Sequence, residues 1–222
     1  EHGLTVDEKA FNKLMEKRRE QSRADRKFAV KDRGASLAAS IGDSSSSEFV
    51  GYDNFEFETS VLGADSSAMV LEKTPFYAEG GGQVADKGTI SGNNFQFRVD
   101  DVQKAGNLIL HLGEFISGDE KAARKGTKVT ASVDMERRKA TQGNHTATHL
   151  LHRALRQQLG EGAQQAGSLV GPDGLRFDFN HYSKIAPEQI RDIETEVNRR
   201  IRDNRQLKTS LMEREKAIES GV

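Results

Sequence analysis

Between Glu48 and Val133 the sequence keeps returning to a period of two, and that alternation restricts the fold more than any other feature of the chain. Phe55-Glu56-Phe57-Glu58, Ala68 to Glu72, Phe95-Gln96-Phe97-Arg98-Val99, Leu108 to Leu112 and Lys128 to Val133 are short runs of strand-type residues. Successive side chains on a strand point to opposite faces, so each run has one face to bury. Asp86-Lys87-Gly88 and Gly92-Asn93-Asn94 supply turn signals between them. Several short strands at this spacing predict a small antiparallel β-barrel over residues 48–133.

On both sides of that region the period is helical. Thr5 to about Phe28 reads as one helix with a narrow stripe of Leu4, Phe11, Leu14 and Met15, and its second half is almost wholly polar. Such a helix has little to pack on, so residues 1–33 are expected to be the tail of a preceding domain; the missing initiator Met agrees with an excised fragment. Residues 34–47, rich in Ser, Ala and Gly, read as a flexible linker. Past the barrel, Asp134 is placed to cap a helix that ends at Leu159 before Gly160, with a kink or break expected at Gly143. Gly167 to Val170 and Leu175 to Phe179 form a predicted hairpin around Gly171-Pro172-Asp173-Gly174. Pro187 opens a helix striped by Ile190, Ile193, Val197 and Ile201, followed by a strand at Gln206 to Leu211 and a short helix at Glu213 to Ser220. The fold class is therefore α+β: an N-terminal helix, a small antiparallel barrel, and an α+β core over residues 134–222.

Composition excludes several classes. With no cysteine, disulfides and thiol chemistry are ruled out within the chain, and a cytoplasmic location is the default. No run approaches the roughly 20 apolar residues of a membrane span, and the N-terminus lacks the pattern of a signal peptide, so no membrane partner is expected. The formal net charge is −1, but basic residues cluster at Lys17 to Arg19, Lys121 to Lys128, Arg137 to Lys139 and Arg199 to Arg205. Such local faces can grip phosphates on a neutral protein, or be solvated helix surface.

Two stretches carry candidate chemistry. His145 and His149 lie four apart, which on a helix puts both imidazoles on one face, roughly 6 Å apart along the axis. His152 continues the row, while Ala147, Leu150, Leu151, Ala154 and Leu155 point to the other side. A divalent metal site and a solvated histidine face both fit that pattern. The second stretch, Thr74-Pro75-Phe76-Tyr77-Ala78-Glu79-Gly80-Gly81-Gly82-Gln83, interrupts the barrel. Three consecutive glycines suit a close backbone approach or a flexible loop, and they lack the strand-turn-helix context of a phosphate-binding P-loop.

Taken in order, Pro75-Phe76-Tyr77 with Glu79 to Gln83 and Asp86-x-Gly88, then Arg137-Arg138 leading into Asn144 to His152, then Gln165-x-Gly167-Ser168-Leu169-Val170, then Leu175 to Phe179 resemble the alanyl-tRNA synthetase family. The similarity covers nearly the whole chain, since Gly3 to Lys27 also looks like the end of that family's tRNA-recognition domain. The resemblance implies a barrel plus the first part of the editing domain, which hydrolyses tRNA(Ala) mischarged with serine or glycine. ATP and magnesium would belong to an aminoacylation domain absent from this chain. The implied partners are tRNA(Ala) and the remaining domains of the same synthetase.

The same resemblance implies residue roles. His145 and His149 would be zinc ligands, and Gln165 a catalytic-pocket residue. Thr148, or Thr146, would offer a hydroxyl to the serine substrate or bond back to its own helix. Gly80, Gly81, Gly82 and Gln83 would form a flexible element near the tRNA acceptor end, with Arg137, Arg138, Arg176 and Asp178 as further tRNA or substrate contacts. Arg176 and Asp178 share a strand face and can equally pair with each other. The chain departs from the family pattern in one respect: it has no cysteine and no histidine after His181, so the Cys-x-x-x-His half of the zinc site is missing. The editing core is accordingly expected to be cut short at Val222. The alternative is a tRNA acceptor-stem binding module inactive as a fragment; an unrelated zinc hydrolase with a convergent His-x-x-x-His is a third reading.

Overall fold

The computed structural model of the chain describes Asp7 and residues 9–11, 13–18, 34–42, 44–206, 210 and 212–219. It divides into two compact units, one of Glu1–Asn144 with Ser168–Arg176 and one of His145–Gly167 with Phe177–Val222. The fold is α+β around a closed antiparallel barrel, as the alternation predicts.

The first unit carries β1 (Glu48–Phe49), β2 (Glu56–Ala64), β3 (Ala68–Leu71), β4 (Lys73–Thr74), β5 (Gly88–Gly92), β6 (Phe95–Ala105), β7 (Leu108–Gly118) and β8 (Lys128–Val133). The barrel closes in the order β2-β3-β7-β6-β5-β8, while β1 and β4 form a separate parallel pair. A period of two explains what each strand buries. On β3 all four residues are buried: Met69 and Leu71 enter the main barrel core with Phe76, Ile90, Phe97 and Val99, and Ala68 and Val70 join a second cluster. β7 divides the same way, Ile109 to the first core and Leu108, Leu110 and Leu112 to the second.

What covers that second face is α1 (Ala35–Ile41), formed where the sequence reads as a flexible linker. Leu37, with Ala38 and Ile41, packs on Val70 and Leu110. Burying a leucine is worth roughly 1.5–3 kcal/mol, enough to hold a short helix whose Ser and Ala content alone suggests a loop. Gly63 on β2 makes room for it, since a Cβ there would come within 3.0 Å of Ile41.

α2 (Met135–Leu159) starts in the first unit and ends in the second. Asp134 caps it, its Oδ1 accepting from the Arg137 N–H at 3.0 Å, and Gly160 ends it at φ 91°. The helix is not broken at Gly143: helical residues are continuous from Met135 to Leu159. A helical glycine costs at most about 1 kcal/mol. The neighbouring Asn144 Nδ2 also donates to the carbonyls of Gly171 (2.8 Å) and Pro172 (3.2 Å), fixing the helix at that turn to the hairpin loop.

The hairpin is β9 (Gln165–Val170) and β10 (Leu175–Phe179), at the expected place. In the second unit Ala154 and Leu155 of α2 pack with Ala163, Ile193, Phe177, Phe179 and Val197, which seats α3 (Pro187–Asp203). Pro187 occupies the first turn of α3, and the Gln189 side chain accepts from the Ala186 N–H at 3.0 Å. α4 (Arg214–Glu219) follows. Of the predicted N-terminal helix, residues 9–11 and 13–18 are helical, with Phe11, Leu14 and Met15 exposed, and Asp7 precedes them outside the helix; the rest lies outside the described residues, as does most of the strand expected at Gln206 to Leu211. No helix among the described residues is long and apolar enough to cross a membrane.

Candidate functional site

The glycine run forms a tight turn. Gly80 N–H donates to the Gln83 carbonyl at 3.2 Å and Gln83 N–H to the Gly80 carbonyl at 3.0 Å. The two central residues, Gly81 and Gly82, have φ of 60° and 84°, the left-handed pair that a two-residue hairpin turn of the mirror-image kind requires. The element expected to flex is tied down: Val170 N–H donates to the Gly82 carbonyl (2.7 Å) and Val84 N–H to the Val170 carbonyl (3.0 Å). A Cβ on Gly82 would stand 2.8 Å from the Ser168 carbonyl oxygen, so this approach excludes any side chain. Gln83 is buried and Gly81 alone of the four is fully exposed.

Of the paired arginines, Arg138 does not face solvent. Its side chain is 3% exposed and forms an ion pair with the equally buried Asp86. Nη1 donates to the Gly51 carbonyl (2.7 Å) and Nη2 to the Pro75 carbonyl (2.7 Å), while Asp86 Oδ2 accepts from the Tyr77 N–H at 2.7 Å. The expected RNA contact at Arg138 therefore gives way to a structural role: its donors are used inside the fold, and the guanidinium lies over the Phe55 ring. Arg137 is half-buried, and its Nε has no hydrogen-bond partner among the described residues.

A second buried polar group, His111, escaped sequence reading because it sits in the apolar run Leu108 to Leu112. Its Nδ1 lies 2.9 Å from the Met69 carbonyl, which can only accept, so Nδ1 carries the proton and Nε2 accepts from the Thr74 hydroxyl at 2.7 Å. Thr74 Oγ1 accepts in turn from the Phe76 N–H at 3.1 Å. Burial lowers the His111 pKa to about 4, against a partial upward pull from the Met69 carbonyl.

In the second unit His145 and His149 stand on one face of α2 as predicted, whereas His152, expected in the same row, turns to the core at Phe177. The His145 and His149 rings stack with centroids 5.1 Å apart and 23° between planes. Burial first, and then the neighbouring His149, push the His145 pKa down. Thr148, between them in sequence, is buried at 6% exposure. His152 packs on Phe177 at 5.2 Å, and its Nε2 is buried with no hydrogen-bond partner among the described residues. Gln165 is exposed on β9; Arg176 is exposed and Asp178 half-buried on β10. Gly167 faces Asp178, whose Oδ2 would be 3.3 Å from a Cβ there.

Whether these residues suit a metal can be judged from the donors. Two imidazoles at helical spacing can share one ion, but zinc takes three or four protein ligands. Among the described residues no group of three His, Cys, Asp or Glu is placed to hold a metal. The described set of two does not by itself fit zinc.

With this geometry in hand, comparison with known proteins is specific. Residues 1–137 match the family described as tRNA synthetases class II (A). Over its whole length the chain is 42% identical to the alanine-tRNA ligase of Legionella pneumophila strain Lens, and equally to that of strain Paris; each alignment covers 26% of the relative. The strain Corby enzyme is 41% identical over the same share. The chain thus spans about a quarter of the length of the curated relatives it matches.

Proposed function

This chain belongs to the class II tRNA synthetase (A) family, and from that premise we propose that it is the region of an alanine-tRNA ligase that hydrolyses tRNA(Ala) mischarged with serine or glycine. The observation that carries the proposal is the stacked His145 and His149 pair beside buried Thr148, in a chain 42% identical throughout to alanine-tRNA ligases. A synthetic pocket sized for alanine cannot reject glycine by size and discriminates only modestly against an added hydroxyl, so a second, hydrolytic site supplies the remaining accuracy.

The chain's own residues have distinct parts in this reading. His145 and His149 share one face of the helix, where they would be two of the residues holding a divalent ion if one were bound; such an ion would supply Lewis-acid character. The Thr148 hydroxyl and the Gln165 amide are the polar groups suited to reading the side-chain hydroxyl of a misplaced serine. Arg176 and Asp178 offer polar contacts on β10. The Gly80 to Gln83 turn presents backbone at its exposed tip, with room for another chain to approach. ATP and magnesium would serve aminoacylation elsewhere in a protein of the relatives' length, whose expected location is the cytoplasm.

The alternative is tRNA acceptor-stem binding without hydrolysis by these residues alone, and the two-ligand set favours it for the isolated chain. A full-length protein containing this chain tests the first reading: Ser-tRNA(Ala) and Gly-tRNA(Ala) should be deacylated while Ala-tRNA(Ala) is spared. Equal rates on all three, or none, would count against it.

A further inference from the structure

Beside the glycine turn, three aromatic rings from two segments converge on one groove. Phe49 on β1 meets Tyr52 edge to face at 5.1 Å, and Tyr77 at 6.0 Å, with interplanar angles of 79° and 77°. The Tyr77 hydroxyl donates to the Gly80 carbonyl at 3.3 Å, linking the groove to the turn. Tyr52 is 82% exposed. Among the described residues that line the groove there is one cation, Lys104, and no carboxylate, with Ser46 and Asn107 adding hydroxyl and amide groups.

The backbone beneath these rings is unusually well fastened. The Arg138 and Asp86 pair holds the Gly51 carbonyl next to Tyr52, the Pro75 carbonyl, and the Tyr77 N–H. Gly51 lets the two segments close, since a Cβ there would lie 2.1 Å from the Pro75 oxygen. A buried ion pair is a poor source of net stability, because desolvation offsets most of its attraction. Here it fixes the backbone of the segments that present Tyr52 and Tyr77, which lowers the backbone share of the ordering cost of binding.

We propose that this groove holds an unpaired nucleotide of single-stranded RNA, its base stacked on Tyr52 and a flanking phosphate paired with the Lys104 ammonium. Every base offers a π face to an aromatic ring, and the Lys104 ammonium, with no carboxylate among the described lining residues, is complementary to one phosphate. Duplex RNA hides its base faces and cannot use the ring. The site rests on the reading of this chain as acting on tRNA, and adds a contact outside the histidine face and the glycine turn.

Fluorescence anisotropy of a short labelled single-stranded RNA ending in CCA, titrated with this chain, tests the assignment. Tyr52→Ala should weaken binding roughly ten-fold or more, as loss of a base stack does, while Tyr52→Phe retains near-normal affinity. Lys104→Gln should flatten the salt dependence by about 0.7 in the log-log slope, the share of one single-strand phosphate. Because Tyr52 is exposed, its variants should unfold at the wild-type temperature. If the chain binds the RNA but Tyr52→Ala binds it equally well, or a blunt duplex binds as tightly, the groove assignment fails while the tRNA reading stands. If the chain binds no RNA, both fail.

Discussion

At the scale of single residues, Arg138 and His111 are two buried polar groups committed to the fold, and they fail in different ways. Removing one partner of a buried ion pair strands the other, so Arg138→Ala should cost about 3–5 kcal/mol in urea unfolding. A loss under about 1 kcal/mol would mean that Asp86 finds another partner. His111 is held neutral: its folded pKa is about 4, against 6.5 for the free side chain. Between those pH values the unfolded chain binds a proton that the folded chain refuses, so stability is full above pH 6.5 and falls as pH drops toward 4. The total is on the order of 3 kcal/mol, read as a slope of unfolding free energy against pH that His111→Asn should remove. His145 shifts in the same direction, so the difference between variant and wild type is the informative quantity. Neither role could be read from sequence. Arg137-Arg138 looks like one basic cluster, and only the helix phase and a partner 52 positions away separate the buried arginine from its neighbour. His111 falls on an inward position of β7, where alternation marks burial but names no partner.

Among elements, those with a strong period were readable and those depending on a neighbour were not. Five of the six barrel strands and the β9–β10 hairpin follow from alternation between turn signals, and α3 from its isoleucine stripe; β5 was missed because Gly88 and Gly92 at its ends read as turns. α1 depends on the outer face of β3 and β7, which composition cannot reveal, so residues 34–47 read as linker. Gly143 misled in the opposite sense, since a local glycine penalty is small beside a 25-residue helix anchored by Asn144. A Cβ on Gly143 would meet nothing within 4 Å, so Gly143→Ala should stabilise the protein by up to about 1 kcal/mol. Destabilisation would show that the helix needs flexibility there. In the glycine turn, Gly82→Ala should lose more stability than Gly81→Ala. Both glycines have left-handed φ, but only Gly82 faces Ser168, while Gly81 has open space. The reverse order in urea melts would contradict the pairing of this turn with β9.

For the molecule as a whole, the α+β class and the family were legible because four ordered blocks span both units. The chemistry was half legible. The spacing of His145 and His149 predicts one helix face, and the stacked rings agree, but two imidazoles leave a metal's coordination shell open. The aromatic groove was invisible in sequence, since Tyr77 meets Phe49 and Tyr52 only in the folded chain. The central claim is that the histidine face serves hydrolysis of mischarged tRNA. Its most direct test is the single-turnover rate of Ser-tRNA(Ala) deacylation by a full-length protein containing this chain, with and without the paired changes His145→Ala and His149→Ala, in samples matched for folding and for RNA affinity. The account predicts that the double variant binds the tRNA but loses at least roughly a hundred-fold in rate, as when catalytic groups are removed. An unchanged rate would contradict it.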